Sequence, residues 1–405
     1  MSPISVAQFL PPGTLEFDLL LIDEASQVRP EDALGIIARA KQMAVVGDAK
    51  QLPPTNFFNR LLSDEDEADN DEDVKAPEPS AAVVKIAELE SILTLCEARG
   101  VGSKMLRWHY RSRHPSLIEV SNEAFYDRSL FLPPSPVNDR DGDGLAFVRV
   151  PGSYDRGGKR VNEIEAKAIV ERLTAHARRH PSRSIGVVTF STAQRDLISN
   201  LLEDARRREP ALDAFVSDQH EEVFVKNLEN VQGDERDHIV VSIGYGPRAP
   251  NGKLDSMNFG PVSSDGGPRR LNVLFTRARH RCEVFCSFDP GDIDTERAKS
   301  EGARILKRYL DYAQTGILNQ PTATGDDHDS PFEADVAAVV RAFGYIVDAQ
   351  VGTAGFKIDL GVRDSARPGR YILAIECDGA TYHGALWARE RDRLRQEILE
   401  GQGWR

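Results

Sequence analysis

Short runs of leucine and β-branched residues recur along this chain, separated by stretches whose apolar positions keep helical spacing. That alternation constrains the fold more than any other feature. Strands that alternate with helices imply a mostly parallel sheet covered on both faces, because parallel neighbours need a long crossover. The first series predicts a buried strand over Phe17–Ile22, a helix after Pro30 and a short strand over Met43–Val46. A second series begins at Leu145. Its strands fall at Leu145–Val150, Ile185–Thr189, Val223–Val225, His238–Ser242 and Glu283–Ser287, with helices over Asn162–Arg178, Ala193–Arg207 and Arg270–Ala278.

Between the two series, eight carboxylates lie from Asp64 to Asp73, and 63–79 reads as a disordered acidic insertion. Ser80 then caps a helix whose apolar positions are Ile86, Leu89, Leu93 and Cys96. A Pro-rich stretch, Leu132–Val137, and the turn-rich Asn138–Gly144 divide a first unit, 1–135, from a second, 136–318. Polar residues 319–330 form a linker. A smaller α/β unit follows over 331–405. It has a helix at Phe332–Ala342, strands near Tyr345–Ala349, Phe356–Leu360 and Tyr371–Glu376, and a charged helix at Ala385–Glu400.

With 40% hydrophobic and 28% charged residues among 405, the composition is that of a globular protein of two or three domains. The longest apolar runs, Leu19–Ile22 and Tyr371–Ile375, are too short to span a bilayer, and the first ten residues lack a basic n-region. Four cysteines make no disulfide framework, so a reducing, cytoplasmic setting is expected. Cys282 and Cys286 are expected to fill a core strand, since no second pair is at hand to complete a zinc site. The net charge of −13 argues only weakly against a nucleic-acid partner, because the acid is concentrated in one run.

The run LLLIDEASQ ends in Asp23-Glu24, which places two carboxylates at the carboxyl end of a strand, the edge where ligands sit in open α/β sheets. The first acid can hold Mg²⁺; the second can orient or deprotonate a water attacking a nucleoside triphosphate. Alone, the pair would read as a solvated turn. It is followed in order by VVGDAKQLPPT, LRWHYRS, ENVQGDERD and LNVLFTRAR. This ordered set resembles the superfamily 1 helicases, in the branch that contains the nonsense-mediated-decay helicase, over roughly residues 1–310.

The resemblance implies RecA-like lobes that use ATP and Mg²⁺ on a nucleic-acid strand. It makes Asp23 and Glu24 the Mg²⁺ and water-activating pair. Gly47, Asp48 and Gln51 would couple phosphate state to the nucleic-acid groove. Arg111 and Arg277 match the arginines that reach the γ-phosphate, where a guanidinium can neutralise the spreading charge. Gln232, Gly233 and Glu235 match the motif that joins nucleotide and nucleic-acid sites. Arg113, Arg279 and Arg281 read as surface ion pairs. Trp108 and Tyr110 read as packing behind the arginine rather than as a base-stacking platform.

The sequence contains no G-x-x-x-x-G-K-[ST] loop to cradle the β- and γ-phosphates. The first lobe is therefore expected to be incomplete and Met1 to be an internal methionine, with weak ATP binding and no unwinding by these residues alone.

In the last unit the candidates are Glu333, Asp359 in FKIDLGV, and Glu376 and Asp378 in AIECDGATYH. Glu376 and Asp378 stand two apart on a strand and so share a face, and a hairpin would bring Asp359 beside Glu376. Such carboxylates can bind one or two divalent metals that activate water against a phosphodiester, with Asp359 and Glu376 as ligands and His383 as acid or base. The unit resembles the Vsr-like endonucleases of the PD-(D/E)xK group. In this resemblance Arg389, Arg391, Asp392 and Arg395 lie on a last helix that meets DNA phosphates, or is laced by its own ion pairs. Asp378 stands where that group has a lysine. The chain stops at Gly403-Trp404-Arg405, so an unpaired sheet edge is expected. The whole reads as an ATP-dependent DNA helicase or translocase coupled to a Mg²⁺-dependent DNA endonuclease, acting on single-stranded and duplex DNA. A nucleic-acid-binding product without turnover, and a motor that remodels RNA, are the two other readings.

Overall fold

A computed structural model describes residues 2–11, 13, 15–54, 90–136, 142–218, 221–318, 330–353, 356–367, 370–377 and 386–405. The acidic run 63–79, Ser80, Ile86, Leu89, the 319–329 linker, Asp378 and His383 lie outside them. The chain divides into two compact units, Met1–Met105 and Leu106–Arg405.

In the first unit, α1 (Pro3–Phe9) precedes β1 (Phe17–Ile22), α2 (Pro30–Ile37), β2 (Ala40–Val45) and α3 (Ile92–Ala98). β1 and β2 pair in parallel, with Leu19 opposite Gln42 and Ile22 opposite Val45. Ile22, Ala25, Ala33, Ile36, Ile92 and Cys96 form the core. The expectation of a buried β1 is corrected: Leu19 is 59% and Leu21 64% exposed. Side chains alternate across a strand, and the core lies on the face of Leu20 and Ile22. In the described residues α3 starts from Ser91, whose hydroxyl accepts from Thr94 N while Thr94 Oγ1 accepts from Ser91 N.

The second unit opens with a segment leading to α4 (Glu119–Tyr126). A five-stranded, all-parallel sheet follows, in the order β3-β7-β6-β4-β5. Its strands are β3 (Gly144–Arg149), β4 (Ile185–Thr189), β5 (Phe224–Asn227), β6 (Arg236–Ser242) and β7 (Ala278–Cys286). Helices α5 (Glu163–Arg179), α6 (Thr192–Arg206) and α7 (Pro210–Asp218) cover the face that carries Val187, Val240 and Phe285. Cys282 points to the other face, 3.4 Å from the Tyr309 hydroxyl of α9 (Glu301–Thr315). Both β7 cysteines are buried, as expected of a core strand, and burial pushes Cys282 up to about 12. The helix expected at Arg270–Ala278 is α8 (Gly267–Phe275), because Pro268 sets its first turn; β7 therefore begins five residues before Glu283.

The C-terminal part holds α10 (Pro331–Ala342), the antiparallel strands β8 (Val347–Thr353), β9 (Phe356–Arg363) and β10 (Tyr371–Ile375), and α11 (Leu386–Gly401). The fold class is thus the expected one, α/β with parallel-sheet lobes and a small final α/β domain. β10 and β8 are the two outer strands; along β10, Tyr371 N donates to Pro136 O at 2.8 Å and Ala374 N to Arg405 O at 3.0 Å, so that edge is partly capped. An aromatic joint accompanies this edge. Trp108 meets Phe356 edge-on at 5.4 Å and Phe131 at 6.2 Å, while Trp404 Nε1 donates to Pro134 O at 2.8 Å.

Candidate functional site

Because β1 and β2 run in parallel, the loops after them leave from one edge. Asp23-Glu24 follows β1 and Gly47-Asp48 follows β2. Val46 N donates to Ile22 O, and Ala25 N to Val46 O, which carries the pairing past the strand ends. A Cβ on Gly47 would stand 2.9 Å from Ser26 N, so only glycine lets the two loops touch. Asp23 and Glu24 are both exposed, and Glu24 takes a left-handed backbone with φ 50. Asp23 Oδ1 accepts from Glu24 N at 2.9 Å, and Glu24 Oε2 from Gln27 Nε2 at 3.1 Å. Asp48 is tied to its own loop by Lys50 N and by Gln51 Nε2 at 3.0 Å. The carboxylates are hard oxygen donors open to solvent, which fits a Mg²⁺–nucleotide. Ser26, which the sequence reading passed over, has a buried hydroxyl with no partner among the described residues.

In the second unit three distant motifs meet. Arg111 Nε lies 2.8 Å from Glu235 Oε2, and Glu235 Oε1 lies 3.5 Å from Arg279. Arg277 is buried, donating to Val273 O at 2.8 Å, to Thr276 Oγ1 at 2.7 Å and to Asp234 O at 3.4 Å. Gly233 turns with φ 86 into open space, and the Gln232 amide nitrogen beside it is buried without a partner among the described residues. His109 Nε2 meets Ser112 Oγ at 2.9 Å, and burial, with the nearby Arg111 charge, pushes it down to about 4. It is neutral at pH 7 and pins the turn that presents Arg111. Arg279 and Arg281 do form ion pairs, with Glu221, Asp237 and Glu283. Arg113 departs from that expectation and donates to Gly401 O. Trp108 packs as expected. Tyr110 does not, being 66% exposed.

Sequence reasoning also missed a buried carboxylate at the carboxyl ends of β6 and β7. Glu165 is fully buried. Its Oε1 accepts from Ser242 Oγ at 2.6 Å and Gly244 N at 2.7 Å; its Oε2 accepts from Ser287 Oγ and Asn162 Nδ2, each at 3.3 Å. Burial outweighs these bonds and raises it to about 7.

In the C-terminal part, Ser330 caps α10 and holds Glu333 in the first turn, where it is buried. Asp359 Oδ2 accepts from Cys377 N at 2.6 Å. The β9–β10 register sets Ile375 opposite Leu360, so one further step brings Glu376 opposite Asp359. Glu376 Oε1 accepts from Arg395 Nε at 3.1 Å and Nη2 at 2.9 Å, and the Arg395 guanidinium stacks over Phe356 at 4.2 Å. Arg395 therefore turns inward, away from the solvent face of α11. That face is laced by Arg393–Glu397 and Gln396–Glu400. Among the described residues no three acidic, His or Cys groups lie close enough to hold a metal. Asp359 and Glu376, which the register sets opposite each other, offer oxygen only, which fits Mg²⁺.

Residues 7–58 match the AAA_11 family model and residues 89–289 the AAA_12 model, both described as AAA domain. Residues 332–405 match the REase_MTES_1575 model. The chain is 36% identical over 313 residues to the Mycoplasma genitalium protein named uncharacterized ATP-dependent helicase MG140, covering 75% of this chain and 26% of that protein. It is 25% identical over 279 residues to regulator of nonsense transcripts 1 of Dictyostelium discoideum, covering 65% and 18%. It is 27% identical over 289 residues to the 5'-3' DNA helicase ZGRF1 of Mus musculus, covering 67% and 13%. The chain spans about a quarter of the length of the first relative and less of the others. No helix among the described residues is long and apolar enough to cross a membrane.

Proposed function

We propose that these residues are part of an ATP-driven DNA translocase that also cuts DNA, with a Vsr-like nuclease in residues 332–405, acting in repair or in defence against foreign DNA. The observation that carries the motor reading is the meeting of Arg111, Glu235 and Arg277 from three separated motifs, in residues that match AAA-domain models. Asp23 would hold the Mg²⁺ that draws charge off the phosphate oxygens. Glu24 orients a water for attack on the γ-phosphorus and takes its proton; the β–γ bridging bond breaks, and ADP and phosphate leave. Arg111 and Arg277 neutralise the equatorial oxygens, and release of the Arg111–Glu235 pair would report the phosphate to the Gln232–Glu235 turn.

The nuclease reading rests on Asp359 and Glu376 facing each other at one end of a small sheet that matches a REase family model. These two, with Glu333 and Asp378, would hold a divalent cation that activates water and stabilises the phosphodiester transition state. His383 would move the proton to the leaving oxygen, and Arg395 must release Glu376 before the cation is held. The nuclease favours DNA over RNA as the motor's track. The absent G-x-x-x-x-G-K-[ST] loop supports weak ATP turnover by these 405 residues alone. Incubation of the purified chain with supercoiled plasmid and Mg²⁺ tests the proposal. Nicking that disappears in EDTA and in Asp359→Ala is expected; the same rate in Asp359→Ala refutes the nuclease, and robust ATP hydrolysis refutes weak turnover by these residues.

A further inference from the structure

Gln350 lies inside β8 with a left-handed backbone, φ 53. Side chains with a Cβ adopt that torsion at a cost, and asparagine and glycine take it more readily than glutamine. On either side the strand keeps its register with β9, Ala349 opposite Leu360 and Val351 opposite Ile358, which sets Gln350 opposite Asp359. Gln350 is nearly buried, and its amide donates to Glu333 Oε2 at 3.1 Å. Ser330 Oγ donates to the other oxygen of that carboxylate, also at 3.1 Å. A glutamine thus holds an unfavourable torsion in a strand, directly across from one candidate acid and bonded to another. Residues kept in such torsions tend to cluster where function requires them.

We infer that Gln350 is a positioning residue of the nuclease site, fixing the Glu333 carboxylate against the strand that carries Asp359. The inference rests on the nuclease reading above. The torsion aims the long side chain at α10, a reach that asparagine would lack and glycine would abandon.

The test uses the full 405-residue chain with Gln350→Gly, Gln350→Asn, Glu333→Gln and the Gln350→Gly/Glu333→Gln double variant. Thermal melts, Mn²⁺ binding by calorimetry, and plasmid nicking per folded molecule are read together. Gln350→Gly should melt within about 4 °C of wild type, since relief of the torsion offsets a lost hydrogen bond. Its nicking kcat should fall about 10- to 100-fold, with KM for plasmid within about twofold and weaker Mn²⁺ binding. In the Glu333→Gln background the same change should cost less than about twofold, because both act through one contact. Should the glycine variant not fold, the asparagine variant carries the same expectation. Wild-type kcat and Mn²⁺ affinity in a folded Gln350 variant, or full additivity with Glu333→Gln, would overturn the inference alone. Absence of both nicking and Mn²⁺ binding in wild type would overturn the nuclease reading and this inference with it.

Discussion

Glu165→Gln is expected to reshape how stability depends on pH. Burial raises Glu165 from its ordinary 4.5 to about 7, although four donors surround it. The unfolded chain releases this proton near pH 4.5 and the folded protein holds it until about 7, so stability falls as pH rises through that window and levels off above it. The gap corresponds to about 3 kcal/mol at pH 8, or about 5–10 °C in a domain of this size. Glutamine imitates the protonated acid. Its carbonyl accepts from Ser242 and Gly244, and its amide donates to Ser287 Oγ. His176, pushed down to about 4 by burial, and His238, also lowered by burial, work in the opposite sense, losing stability as pH falls. The difference between variant and wild type, followed by calorimetry from pH 4.5 to 8.5, therefore isolates Glu165. Equal melting near pH 5 and a variant more stable at pH 8 are expected. A variant destabilised by the same amount at every pH would show that the carboxylate is ionised in the folded state and would refute the reasoning.

Gly47→Ala forces a Cβ to within 2.9 Å of Ser26 N, a backbone atom that cannot swing away. It should cost about 1–3 kcal/mol in urea denaturation of the first unit, and a neutral result would mean the two motif loops do not touch. Trp404→Ala removes a 4%-exposed indole and its bond to Pro134 O, for about 3–5 kcal/mol, seen as a lower Tm. Arg395→Gln breaks a half-exposed pair, so it should shift stability by less than about 1 kcal/mol, yet lower the Mg²⁺ concentration needed for nicking. A higher Mg²⁺ requirement would show instead that Arg395 assists cation binding.

The strands at Phe17–Ile22 and Ile185–Thr189 were legible to the residue, because short runs rich in leucine and β-branched residues, bounded by polar turns, have few other uses. Burial was less legible. The alternation of Leu19 and Leu21 with Leu20 and Ile22 sets two faces, but which face meets a core depends on partners remote in sequence. β7 begins in the charged stretch Ala278-Arg279-His280-Arg281, which no strand pattern would claim; pairing with β3 on one side and β6 on the other makes it a strand. Motif order pointed to Arg111, Glu235 and Arg277, while the contact between the first two needed coordinates. Glu165, Gln350 and the inward turn of Arg395 left no mark on the pattern, since a single polar residue reads the same in sequence whether it faces solvent or a buried partner.

The aromatic joint bears on how the two proposed activities can be separated at the bench. Cutting the chain between residues 318 and 330 would strip Trp108 of Phe356, and Trp404 of its Pro134 acceptor. It would also remove Gln402, which donates to the carbonyls of Tyr110 and Ser112 on either side of Arg111. Each half would then carry a freshly bared apolar patch, prone to aggregation and to sticking to unrelated proteins. Loss of ATP or DNA response in such a fragment would report that damage as readily as a missing active site. Point substitutions at Asp359 or Arg111, made in the intact chain, are the controls expected to silence one proposed activity and leave the shared surface in place.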